Sequence, residues 1–143
     1  MGFGPTPDSW TLRSDKDVHF TTALAQNAID LETIGALPTP AVIIDRITIW
    51  SDENLDWDVM FFKNATSQPN ADADLDTMVD WMSFLSTDGL QVAGAGLYRY
   101  AVTGLELRYH PDDGNAHLGL INRNAASKTA GANGEFVIEI SGS

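Results

Sequence analysis

A chain of 143 residues with 43% hydrophobic and 20% charged residues has the size and balance of one globular domain, which buries roughly two-thirds of its unfolded surface. The absence of Cys excludes disulfides, thiolate metal sites and thiol nucleophiles, and a net charge of −12 repels a phosphate backbone, so nucleic acid is not expected as a partner. No stretch reaches the ~20 apolar residues of a membrane span, and the first residues lack the basic and apolar regions of a secretory signal; the expectation is a protein made in a cytoplasm, with no membrane partner.

The acidic residues are fifteen Asp and only five Glu. Asp belongs in turns and caps while Glu favours helices, so the skew points to strands joined by loops. Residues 1–9 hold two Gly and two Pro and read as an extended N-terminal arm, leaving 10–143 as the folded domain. Ser9 to Arg13 and Asp17 to Thr22 are strand candidates, with Ser14, Asp15 and Lys16 as a hairpin turn between them. From Ala23 to Ala36 the apolar spacing suits a helix or a meandering strand, and both stay open. After Pro38 and Pro40, the segment Ala41 to Ser51 carries Val42, Ile43, Ile44, Ile47, Ile49 and Trp50, the strongest β pattern in the chain, and is expected as a central strand.

Leu55 to Asn64 alternates, with Leu55, Trp57, Val59 and Phe61 on one face and Asp56 and Asp58 on the other. The period then changes: Leu75, Met78, Val79, Met82 and Leu85 fall at helical spacing behind Asp72 or Asp74 as N-cap, which predicts one short helix over Asp74 to Leu85. Gly89 to Gly96 reads as a strand edge or bulge. Leu97 to Val102 and Leu105 to His110 are strands broken at Thr103-Gly104, and Pro111 to Asn115 is a turn. Ala116 to Asn122 and Glu135 to Ser141 are strands around a small-residue loop ending in Asn133-Gly134. About eight short strands with one helix in a connection predict an all-β jelly-roll or Greek-key β-sandwich.

Catalytic and metal patterns were weighed in turn. Asp72, Asp74 and Asp76 match the opening of a calcium loop, but Thr77 stands where the sharp turn needs Gly and Ser83 where the bidentate Glu belongs; capping of a helix start is the expected role of these acids and of Asp80. His19, His110 and His117 lack the spacing of a shared metal and read as strand-associated structural residues. There is no G-x-S-x-G elbow, no P-loop and no G-x-G-x-x-G; Gly94-Ala95-Gly96 runs into a strand. The expectation is a protein without cofactor or metal that binds rather than catalyses.

His117-Leu118-Gly119-Leu120-Ile121-Asn122-Arg123, followed by Ala125 to Ala132 and Gly134 to Ile138, resembles a strand, small-residue loop and strand found in tailed-bacteriophage structural proteins. The resemblance implies a virion protein, and among these a capsid decoration (cement) protein, which clamps major capsid protein subunits from the outer surface, commonly as a homotrimer. An acidic surface suits the outside of a DNA-filled head, and a Gly/Pro arm can add backbone hydrogen bonds to a neighbour's sheet edge. With no basic stripe available, the interface is expected to use apolar anchors in and beside the arm: Phe3, Pro5, Pro7 and Trp10. The rival expectation is a carbohydrate- or receptor-binding module of a phage fibre. Trp50 and Trp57 are expected in the core, and Trp10 is the indole best placed for a ligand.

Overall fold

The computed structural model describes residues 9–14, 25–65, 78–92, 96–125 and 136–142. In chain order the strands are β1 Trp10–Arg13, β2 Ile29–Ala36, β3 Val42–Ser51, β4 Trp57–Phe62, β5 Met78–Phe84, β6 Leu90–Gln91, β7 Tyr98–Val102, β8 Leu107–Tyr109, β9 Asn115–Asn122 and β10 Phe136–Gly142. They form two antiparallel sheets, one in the order β1-β10-β3-β7-β6 with β8 also on β3, the other in the order β2-β9-β4-β5. The fold is an all-β sandwich.

The apolar run of Val42–Ser51 does become a central strand. Ile47 lies between Ile140 and Val102, and Ile44 between Gly142 and Leu107, so β7 and β8 run end to end along one side of β3. The break between them holds Gly104 at φ +71°, where a side chain would be strained, and the Leu105 amide donates to Asp45 O at 2.9 Å. Four sets of pairs lie one inside the next, β1 with β10, β2 with β9, β3 with β7 and β8, and β4 with β5, and β10 with β3 and β4 with β9 join them into sheets. Only β4 with β5 and β6 with β7 are near neighbours in sequence.

Alternation puts Ile47, Ile49, Ile138, Ile140, Trp57, Val59, Phe61, Leu118 and Leu120 between the sheets, where all are buried. Three edge-to-face ring pairs join one sheet to the other: Trp57 with Phe136 at 5.2 Å, Phe61 with Tyr109 at 5.6 Å and Phe84 with Tyr100 at 6.4 Å. Each such pair contributes about 0.5–1.5 kcal/mol beyond its burial. The Tyr109 hydroxyl then reaches the opposite sheet, and that of Tyr100 the connection between β3 and β4. Tyr109 donates to Phe62 O and accepts from the His117 amide, while Tyr100 accepts from the Leu55 amide and donates to Asn54 Oδ1.

Two expectations are corrected. The helix over Asp74 to Leu85 is not formed within the described part of that segment: Met78–Phe84 is a strand, and a 3₁₀ turn, Ser86–Asp88, follows it. The register on β4 steps from Phe61 opposite Asp80 to Phe62 opposite Met78, so Val79 is the extra residue of a bulge. A bulge turns the strand's inward spacing of two into three, and Val79 and Met82 both pack on the core, which is the spacing that imitates a helix. Ser14 is not in a turn either. It prolongs the pairing of β1, its amide donating to Ile138 O at 2.9 Å and its Oγ accepting from the Ile138 amide at 3.0 Å. The undecided segment resolves as strand over Ile29–Ala36. The arm over residues 1–8, the strand expected over Asp17 to Thr22, the acids Asp72, Asp74 and Asp76, and the loop ending in Asn133-Gly134 lie outside the described residues.

Candidate functional site

Three places on the sandwich bring chemistry-bearing side chains together. The first centres on His117 in β9. Its Nδ1 lies 2.9 Å from Thr33 Oγ1 on the neighbouring β2, and its Nε2 lies 2.9 and 3.0 Å from the two carboxylate oxygens of Asp113 in the β8–β9 turn. Asp113 Oδ1 also accepts from the Asn115 amide at 3.0 Å. That backbone hydrogen bond, and after it the imidazole, hold the Asp113 carboxyl down from 3.8 to about 2. Hydroxyl, imidazole and carboxylate are the parts of a proton relay. Here, however, both ring nitrogens are engaged and the residue is only 4% exposed, so the group ties β2, β9 and the turn together.

The second is a groove of about 570 Å³ lined by Ala41, Val42, Ile43, Arg108, Tyr109 and His110, where β3 and β8 lie side by side. Ile43 is partly exposed in it and Arg108 is opposite Ile43. It is open and shallow, with one guanidinium and one imidazole at its rim.

The third is the edge formed by β5 and the turn into β6, and it is built with more care. Asp56, ahead of β4, accepts the Ser86 amide on Oδ1 at 2.6 Å. The Asp88 carboxylate accepts the Leu85 amide at 2.9 Å and the Asp88 amide donates to Leu85 O at 2.8 Å. A Cβ on Gly89 would stand 2.3 Å from Asn54 Oδ1 and 3.0 Å from the Tyr100 ring, so only glycine lets the turn close this tightly on the core. Before, within and after this turn the chain exposes Trp81 on β5 at 55%, Leu85 at 52% and Leu90 on β6 at 65%. Apart from Ile43, these are the large apolar side chains exposed among the described residues. Exposed apolar side chains of this kind can serve as anchors in an interface.

Of the interface residues expected from sequence, Trp10 opens β1 opposite Gly142, half-buried and packed against the core; Phe3, Pro5 and Pro7 lie outside the described residues. Trp57 is fully buried, as expected, whereas Trp50 is half-buried with the Arg99 guanidinium 5.5 Å over its ring. Asp80 is exposed on β5 and not at the start of a helix. Sequence reading missed Trp81, Leu85 and Leu90 as a group, because the helical reading turned Leu85 toward the core. Reading the same segment at period two would have set Trp81 apart from Met82 and Phe84. No protein-family model matches the chain, and no curated protein matches it.

Proposed function

We propose that this chain is a structural virion protein that binds the outer surface of a bacteriophage capsid and stabilises it by clamping major capsid protein subunits. The observation that carries this reading is the exposure of Trp81 on β5, Leu85 in the turn after it and Leu90 on β6, on an otherwise well-packed sandwich. Rigid aromatic and aliphatic side chains are the residues that carry binding energy at protein interfaces. The strand order of the two sheets is compatible with a jelly roll, a wiring used by capsid proteins, and supports the reading. So do the net charge of −12, which suits the outside of a DNA-filled head, and the resemblance of the segment from His117 to Ile138 to phage structural proteins. Assembly as a trimer belongs to the same proposal, since several weak contacts made together outlast any one of them.

Quantitative mass spectrometry of purified particles of the virus encoding the chain tests this directly. Copy numbers comparable with the major capsid protein are expected, and absence from the particle ends the reading. The exposed indole of Trp81 favours one second reading, a glycan-binding module of a fibre, because an open indole face also stacks on sugar rings. Saturable quenching of tryptophan fluorescence by glycans, lost in Trp81→Ala, is the result expected of that alternative.

A further inference from the structure

Among the described residues the sandwich ends on five strands, β1, β6 and β8 in one sheet and β2 and β5 in the other. An edge strand exposes a row of unpaired amides and carbonyls, and proteins blunt such edges with short strands, bulges and inward-facing charge. β6 has two residues, β8 three and β1 four, too few to template a partner. β2 has eight, but Asp30 and Glu32 stand opposite Leu120 and Leu118 and so turn carboxylates toward the apolar interior at its rim. Burial, and then the neighbouring Asp30, push the Glu32 carboxyl up, as expected of a charge placed where an added strand would trap it.

β5 is guarded differently. The bulge at Val79 disturbs only its start, and beyond it the strand carries Asp80, Trp81, Met82, Ser83 and Phe84 with no Lys and no Pro. The Trp81 amide donates to the carboxylate of its own neighbour Asp80 at 2.7 Å. Because amides alternate along a strand, Ser83 presents its backbone to the same open side. A main-chain donor held by an exposed carboxylate is one that an incoming carbonyl can take over, freeing the carboxylate to meet a cation.

We propose that the open side of β5 receives an extended segment of a partner protein by strand addition, with Trp81 as apolar anchor and a basic side chain of the segment paired to Asp80. Charge selects the occupant. Residues 78–92 hold Asp80 and Asp88 and no Lys or Arg, and Arg99, opposite Leu90, is laid over Trp50. A second copy meeting this edge brings more carboxylate and no cation, on top of the repulsion between chains of charge −12. A segment alternating apolar and basic residues supplies both the pairing and the opposite charge. The identity of the partner as a capsid protein rests on the function proposed above; the chemistry of the edge does not.

The probe is a short synthetic peptide alternating Val and Lys, compared at physiological salt with the same peptide carrying a central Pro and with one alternating Val and Glu. Saturable binding of the Val/Lys peptide is expected, with slowed hydrogen exchange over residues 78–85, and no binding of the other two. Trp81→Ala weakens it about tenfold or more. Asp80→Lys reverses the preference toward the Val/Glu peptide. Both side chains are exposed, so circular dichroism and melting should match the parent. Equal binding of the Pro peptide, protection elsewhere than β5, no reversal by Asp80→Lys, or pairing of two copies through β5 overturns the proposal. Virions lacking the protein would remove the capsid reading and leave a positive peptide result standing, whereas a protein abundant in virions but indifferent to the peptide would remove strand addition alone.

Discussion

Asp113 and Glu32 respond to acid in opposite senses. The Asp113 carboxyl lies below its ordinary value because the Asn115 amide and His117 favour its charged form; the stability it contributes is present above 3.8 and is lost as pH falls toward about 2. Glu32 lies above its ordinary 4.5 because burial and Asp30 disfavour its charged form. Its contribution is therefore present below 4.5 and is lost as pH rises through the raised value. Urea midpoints measured across acidic pH should show Asp113→Asn losing less stability than the parent below 3.8, and Glu32→Gln keeping at neutral pH what the parent gains only in acid. Identical pH profiles for parent and variants would contradict both assignments. Tyr109 makes a third residue-scale case. Burial pushes its hydroxyl up to about 12, and Tyr109→Phe strips the buried Phe62 carbonyl and His117 amide of their partner. The expected loss is about 1–3 kcal/mol by denaturant unfolding.

Elements with a strong local pattern were open to sequence reading. The β-branched run of Val42–Ser51, the alternation of Trp57–Phe62 and of Phe136–Gly142, and the turn from Pro111 to Asn115 all form where their residue types favour them. β5 was not, because its bulge at Val79 substitutes a spacing of three for two, and a pattern of so few apolar residues carries no other sign of the change. Nor was the His117 tie, which joins Thr33 across 84 residues and exists only once β2 lies beside β9. The exposed edge was hidden for the first of these reasons, since a residue's exposure follows from the period assigned to it. Gly89 tests the element that presents the edge. Gly89→Ala drives a Cβ into Asn54 Oδ1 and so displaces the acceptor of the Tyr100 hydroxyl, which should cost about 1–3 kcal/mol and raise the exchange rate of amides 85–89. An unchanged melting temperature would show that the turn yields without loss.

At the scale of the whole molecule, the sandwich separates holding together from holding on. The three ring pairs and the Tyr109 hydroxyl join sheet to sheet, the inward acids on β2 discourage pairing along that rim, and Trp81 on β5, Leu85 in the turn after it and Leu90 on β6 of the other sheet are left exposed. Such a division is what the proposed clamping of a larger assembly would use. The most direct measurement places a photoreactive phenylalanine at Leu85 in the full chain, assembles it into particles, irradiates them and identifies the crosslinked peptides by mass spectrometry. Crosslinks to a Lys- or Arg-bearing extended segment of the major capsid protein are predicted; particles that yield none, or only crosslinks between copies of this chain, would contradict the account.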